Sequence, residues 1–197
     1  MAFGKKNFSI RIVVLGTLLV VALIGCSNDR PYYKSVFIQD NFFKGRVTVE
    51  KIEKLNKYRL TITDTITGES DRIYTPYRIF QMETADVNND GTTDILIGIV
   101  KPTPFDPVLK KRLFIFQIDR DYIRPLWLSS RLVYPLEEFT VIKKQGGECC
   151  VHALEKISDK LYCIDEYQWA SFGMTFIRTC SDSLTHSQAK TLLNKQP

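Results

Sequence analysis

The side chains best suited to chemistry lie in one short loop, residues 86–94, with the sequence DVNNDGTTD. Thr92 offers a backbone carbonyl at position 7 of this loop, and Gly91 at position 6 permits a sharp turn. Calcium takes about six to eight hard oxygen ligands in a flexible shell, so alternating oxygen donors in a tight loop predict a structural Ca²⁺ site. The side-chain donors, at positions 1, 3, 5 and 9, are Asp86, Asn88, Asp90 and Asp94.

Two other interpretations use the same loop. An EF-hand needs a bidentate glutamate at position 12, but that position is Ile97, and a β-like run follows the loop at once. An Asx-rich turn would use the same Asp and Asn side chains to accept backbone amides without any metal. The sequence favours calcium and leaves the metal-free turn open.

Residues that could support catalysis are scattered along the chain. Glu137–Glu138 and Asp165–Glu166 are sequence neighbours, so on strands each pair points to opposite faces and cannot flank one bond. His152 and His186 have no nucleophile motif near them. We therefore predict no catalytic residue and a non-enzymatic protein. The alternative is an envelope hydrolase acting on glycans or peptides, with a site built from loop carboxylates such as Asp106, Asp119 and Asp121.

Short period-two segments between turn signals are typical of antiparallel β structure. Only the tail, residues 183–195, has helical periodicity, and it predicts one short C-terminal helix. The expected fold class is all-β, with antiparallel meanders that form blade-like sheets or a β-sandwich. The predicted strands are 46–53, 57–64, 93–100, 111–118, 122–128, 137–144, 149–156, 160–169 and 173–180.

The loop followed by the letters ILIG resembles the calcium loop of FG-GAP and VCBS-type repeats, the blades of integrin-like β-propellers. The resemblance implies that the strands up to about residue 131 belong to one four-stranded blade. Residues 36–75 and 137–180 could each form a further meander of that size. Three such units cannot close a ring of about four to eight blades, so we expect an incomplete propeller or a stack of sheets.

The last two predicted strands specify a register. If residues 170–173 form a four-residue loop with Gly173 at positive φ, opposite residues have numbers that sum to 343. The resulting cross-strand pairs are Cys163–Cys180, Asp165–Arg178, Tyr167–Phe176 and Trp169–Met174.

Cysteine usage suits an exported protein, because disulfides persist outside the cytoplasm. The hairpin register predicts a Cys163–Cys180 disulfide. Cys149 and Cys150 are adjacent on a strand and point to opposite faces, so they cannot both reach one neighbour. The stretch CCVH, with His152, lacks paired C-x-x-C spacing and does not predict zinc.

The N-terminal residues predict where the protein works. A basic segment, residues 1–11, precedes an apolar run, residues 12–24, which is too short to cross a bilayer comfortably and is typical of an export signal. The letters LIGC that end at Cys26 resemble the lipobox of bacterial lipoproteins. The resemblance implies cleavage before Cys26 and attachment of lipid, including palmitate, to its thiol. Ser27 stands where aspartate favours inner-membrane retention in enterobacterial lipoproteins, so we expect the outer membrane.

The expected organisation is a signal peptide at 1–25, a lipidated tether at 26–33 and a single β domain at 34–197. The signal peptide holds three of the 27 basic residues and none of the 22 acidic ones, which leaves the rest with a net charge of about +2. No basic face for nucleic acid is indicated. We expect a lipid-anchored envelope module that binds a protein, peptide or glycan. Its aromatic residues outside regular strands could form a binding platform or pack between sheets: Tyr32, Tyr33, Tyr74, Tyr77 and Phe105.

Overall fold

The computed structural model describes residues 32–129 and 131–195. The predicted signal peptide, Cys26 and all of the tether before residue 32 lie outside the described residues. Within the described ranges, no helix is long and apolar enough to cross a membrane.

Antiparallel strands dominate the described chain, in three four-stranded sheets. Each sheet is a meander in which every strand pairs with its neighbours in sequence: β1–β4 form the first sheet, β5–β8 the central sheet and β9–β12 the third sheet. A 3₁₀ turn, Glu53–Leu55, links β2 to β3. The elements are β1 (Lys34–Gln39), β2 (Lys44–Ile52), β3 (Lys57–Asp64), β4 (Ser70–Thr75), β5 (Ile79–Ala85), β6 (Asp94–Thr103), β7 (Asp106–Asp119), β8 (Tyr122–Leu128), β9 (Leu136–Lys143), β10 (Cys149–Lys156), β11 (Tyr162–Ala170), β12 (Gly173–Leu184) and α1 (His186–Asn194).

The central sheet is buried on both faces. Ile95 and Ile97 of β6 pack in a core shared with the first sheet, which includes Val47 and Leu60. Leu96, on the other face, packs in a second core with residues of the third sheet. Because alternate strand residues point to opposite faces, a strand covered on both sides must be apolar at nearly every position, as the run ILIGIV is.

Helix α1 covers part of the outer face of the third sheet. Ala189 and Leu193 pack on Leu154 and Ile164 in a third, smaller core. The helix begins at a capping box, in which the hydroxyl of Thr185 accepts from the backbone amide three residues on. The layers are thus sheet, sheet, sheet and helix, which confirms the predicted all-β class with blade-like meanders and a short C-terminal helix.

The predicted register of the last hairpin is confirmed next to its turn. Tyr167 pairs with Phe176, their ring centroids 6.0 Å apart, and the next predicted pair also forms. The loop is shorter than predicted, because Ala170 already pairs with Gly173 and the positive φ belongs to Ser171. Glycine is needed at 173 for another reason: a Cβ there would lie 2.3 Å from Nε1 of the Trp127 indole.

Farther from the turn, the predicted register is wrong. Irregularities in the β11–β12 ladder shift the strands, so Arg178 pairs with Glu166 instead of Asp165. The same shifts remove Cys180 from its predicted place opposite Cys163, and both thiols are free. The structure therefore corrects the predicted Cys163–Cys180 disulfide.

Candidate functional site

The predicted calcium loop connects two strands of the central sheet, β5 and β6. Its backbone enters the left-handed region twice, at Asn89 (φ 57°) and Gly91 (φ 85°). Asparagine and glycine are the residues that adopt this conformation most readily. Gly91 thus has the turn-forming role that the sequence predicts.

Side chains of the loop fold back onto its own backbone. The carboxylate of Asp86 accepts from the amides of Asp90 and Gly91 at 3.1 and 2.9 Å. Asp90 accepts from the amide of Thr92 at 2.8 Å and from the side-chain nitrogen of Asn88 at 2.8 Å. Asp86, Asn88, Asp90 and Thr92 are thus joined in one hydrogen-bond network within the loop. A carboxylate oxygen keeps further lone pairs for a cation after accepting such bonds.

Asp94, the ninth position of the loop, is different because it is 0 % exposed. Its Oδ2 accepts from the amide of Val87 at 3.1 Å, whereas its Oδ1 has no hydrogen-bond partner of normal geometry. Burial, together with the nearby charges of Asp90 and Asp86, raises the pKa of Asp94 to about 7. A buried oxygen without a partner costs about 1–3 kcal/mol, which a bound cation would offset. The donor set, all hard oxygens, fits Ca²⁺.

Asp40 also positions this loop, and sequence reasoning missed it. Its Oδ2 accepts from the amide of Thr93 at 2.8 Å, and its Oδ1 accepts from the amides of Phe42 and Phe43. Burial alone would raise the pKa of Asp40, but these amide donors outweigh it and hold the pKa below its ordinary value. An ionised Asp40 therefore ties the loop to the β1–β2 turn. Nothing local in the sequence connects positions 53 residues apart.

The structure does not bring Asp106 near Asp119 and Asp121, the other two carboxylates proposed for a hydrolase. Asp106 begins β7 and Asp119 ends it, so they lie roughly 40 Å apart along one strand. Asp106 is paired with the buried guanidinium of Arg112 at 3.0 Å. Asp121 lies in the turn beyond Asp119.

The aromatic residues outside the predicted strands do not form one platform. The hydroxyl of Tyr32 accepts from the amide of Met82 at 2.8 Å, and Tyr32 and Tyr77 pack against the first core. Phe105, in contrast, is 89 % exposed at the turn between β6 and β7. Val108 and Leu109 of the same hairpin are also exposed. We call Phe105, Val108 and Leu109 the apolar tip.

A second cluster lies on the third sheet, and the sequence did not predict it. Cys150, His152 and Glu166 are buried, and one ligand atom from each lies within 4.8 Å of the other two. They meet because Cys150 and His152 are two residues apart on β10, hence on one face, and because His152 pairs with Glu166 of β11. The spacing C-x-H in the sequence is enough to place Cys150 and His152 on one face of a strand. That Glu166 joins them depends on the register between β10 and β11, which the sequence does not reveal.

Comparison with protein-family models, curated proteins and solved structures finds no match to this chain. The resemblance of the loop to FG-GAP and VCBS-type repeats therefore stays a prediction, and function is argued from the residues themselves.

Proposed function

We propose that this chain is a lipid-anchored module of the bacterial cell envelope that binds a protein, peptide or glycan partner, with Ca²⁺ holding the loop 86–94. The observation that carries the calcium part is the buried carboxylate of Asp94, which has an unpartnered oxygen beside the loop carboxylates. The location follows from the signal peptide and from the lipobox that ends at Cys26.

Calcium bound at this loop stabilises the beginning of β6, a strand of the central sheet. Asp94 is the first residue of β6, the strand buried on both faces, and Asp40 fastens the neighbouring Thr93 to the first sheet. Three carboxylates in one short loop repel one another, and a divalent cation removes that repulsion. The ion is structural: it fixes the β5–β6 connection and its contact with the first sheet.

The apolar tip is the surface proposed to meet the partner. Phe105 is 89 % exposed at the end of this hairpin, and aromatic side chains are enriched at protein interfaces. The buried guanidinium of Arg112 donates to backbone carbonyls on both strands of the hairpin, those of Lys101, Asp106 and Val108, and so holds the tip before binding. Ordering costs little free energy for such a preformed element.

Crosslinking in intact envelopes, followed by affinity purification of the full chain, tests this function. Phe105→Ser and Leu109→Ser should each weaken capture of a partner that wild type enriches reproducibly. Phe172→Ser is the matched control, since Phe172 is 93 % exposed on a different hairpin and should leave capture unchanged. Equal capture by all variants would contradict binding through the tip.

Enzyme assays test the alternative class directly. The full chain should not turn over chromogenic glycoside, ester or phosphate substrates. Turnover that one loop carboxylate variant abolishes, for example Asp119→Asn, would replace the binding proposal with an envelope hydrolase.

A further inference from the structure

An apolar groove lies between the first sheet and the central sheet, on the side where their edge strands β4 and β8 face each other. Ile73 of β4 and Leu128 of β8 form its two walls, and Leu128 is 48 % exposed at the mouth. The inner lining consists of buried side chains of the first core: Leu60, Ile79, Ile97, Ile99 and Phe114. The groove therefore leads from solvent into the core between two unpaired strand edges.

The groove follows the direction of β6. Alternate residues of this strand, Ile97, Ile99 and Lys101, project toward the first sheet and line the groove. At the other end lies Phe116 of β7, which the strand register places opposite Ile95. Six residues of extended strand separate positions 95 and 101, a distance of roughly 20 Å. The lining is thus long, with a lysine at one end and an aromatic ring at the other.

The ammonium group of Lys101 is held at its end of the groove by aromatic rings. Its Nζ atom lies 5.4 Å from the ring centroid of Phe114 and 5.6 Å from that of Tyr77. Within residues 32–129 and 131–195, no carboxylate pairs with this ammonium group. Asp106, an acidic residue of the same hairpin, pairs with Arg112 at 3.0 Å instead. A cation at the end of an apolar groove, without an acidic partner, is complementary to an anionic head group.

The size of the groove matches a short alkyl chain. An apolar cavity of about 150 Å³ is large enough to bind benzene. A methylene group occupies about as much space as a water molecule in the liquid, roughly 30 Å³, so the 250 Å³ of this groove holds about eight such groups. An empty apolar cavity destabilises a core, because its walls lose packing partners. A bound alkyl chain restores those contacts.

We propose that this groove binds a medium-chain fatty acid, with the carboxylate on Lys101 and the alkyl chain between β4 and β8. The ligand class follows from the lining: an elongated apolar interior selects an unbranched chain, and one ammonium group at its end selects an acid over an alcohol or an amine. The groove uses no residue of the calcium loop or of the apolar tip, so the inference does not depend on the proposed function.

Photolabelling of the full chain tests the proposal, with decanoate that carries a diazirine near its last carbon as the probe. Lipid nanodiscs hold the protein, because detergent would compete for an apolar groove. We expect saturable labelling, and mass spectrometry should place the label on β8 near Pro125, which pairs with Phe116. Labelling that does not saturate, or that maps outside the groove, would overturn the proposal.

Competition against the same probe tests the head group. Unlabelled decanoate should displace the probe, whereas decanol and decylammonium should do so at least about tenfold more weakly, since a hydrogen bond between charged groups is stronger than one to a neutral group. Equal displacement by decanol would show that Lys101 does not hold a carboxylate.

Variants assign the ligand to these residues. Lys101→Ala should weaken displacement by decanoate about tenfold or more and leave displacement by decanol unchanged. Lys111→Ala is the matched control, because Lys111 projects from the other face of the central sheet and pairs with Glu137, and it should behave as wild type. Leu128→Trp should reduce labelling by filling the mouth of the groove, and its exposed position on an edge strand favours folding. Unchanged decanoate affinity in folded Lys101→Ala, or an equal loss in Lys111→Ala, would refute the assignment.

Discussion

At the scale of single residues, the buried Oδ1 atom of Asp94, which has no hydrogen-bond partner, separates the two interpretations of the loop. A cation that binds only the folded state stabilises it by about 2.7 kcal/mol at a hundredfold excess over Kd. We expect millimolar Ca²⁺ to raise the melting temperature and EDTA to lower it, and Asp90→Ala to abolish the response. A folded wild-type protein whose melting temperature ignores both reagents would reduce the loop to a polar turn.

Asp94→Asn gives a sharper result, because its effects with and without calcium have opposite signs. Asparagine can still accept from the amide of Val87, but it removes a buried charge that lies beside Asp90 and Asp86. The metal-free variant should therefore be more stable than wild type while losing the calcium response. Asp119→Asn, at an exposed position far along β7, is the control and should change neither property. Differential scanning calorimetry with Ca²⁺ or EDTA measures both.

Glu155 makes stability depend on pH. It is 0 % exposed, and its oxygens accept from the hydroxyl of Tyr167 and the amide of Tyr134. Burial, reinforced by the charge of Asp165, raises the pKa of Glu155 to about 7, and the Cys163 thiol also lies close by. The folded state thus binds this proton more tightly than the unfolded state. Its stabilising effect is complete below the unfolded pKa, near 4.5, and is lost as pH rises through about 7.

Comparison of wild type with Glu155→Gln isolates this effect. From pH 4.5 to pH 8, wild type should lose on the order of 3 kcal/mol of unfolding free energy relative to the variant. Asp94 also has a raised pKa, but it is present in both proteins and cancels in the difference. Urea unfolding with EDTA at several pH values provides the measurement. Parallel pH profiles for the two proteins would contradict the argument.

At the scale of elements, close packing at the last hairpin explains its glycine. A Cβ at Gly173 would strike the Trp127 indole, so Gly173→Ala should destabilise the protein by about 1–3 kcal/mol. Gly146 is the matched control, since a Cβ there meets nothing within 4 Å and its φ is not positive. Chemical denaturation of both variants checks this. Equal stabilities would show that Trp127 moves aside freely.

The alternating pattern predicts most strands because burial imposes it. β2 and β3 bury every second residue, and both were predicted. Three strands were not predicted, β1, β4 and β5, and each is an edge strand of its sheet. β4, with the polar sequence SDRIYT, has no buried residue. The irregular pairing between β11 and β12 was also missed, because it depends on packing around Glu166 and Tyr167 and not on the local sequence.

The two candidate sites differ in predictability for the same reason. The loop ligands lie within nine residues, so spacing alone identifies them. The cluster at Cys150, His152 and Glu166 depends on which residues of β10 and β11 face each other. A one-residue error of register moves a side chain to the other face of a sheet, so the sequence could not supply this group.

At the scale of the whole molecule, the three-layer stack ends without closing a ring. The outer side of the first sheet carries polar pairs, such as Arg59 with Glu50 at 2.6 Å and Ser35 with Thr48 at 3.1 Å. Helix α1 covers part of the other end. Polar or covered outer faces are what terminal units of a stack need for solubility. The stack thus ends in two different terminal surfaces.

The proposed attachment of this stack to a membrane rests on the predicted lipid at Cys26. The net charge without the signal peptide is only about +2, so electrostatic attraction to anionic lipid is weak and acyl chains must supply the affinity. Cys26→Ser should therefore leave an uncleaved precursor that is lost from the outer-membrane fraction. Ser27→Asp should retain lipid but shift to the inner membrane in an enterobacterial host, and Ser27→Ala should behave as wild type. Mass spectrometry that finds an intact Met1 or an unmodified Cys26 thiol in wild type would remove the proposed location.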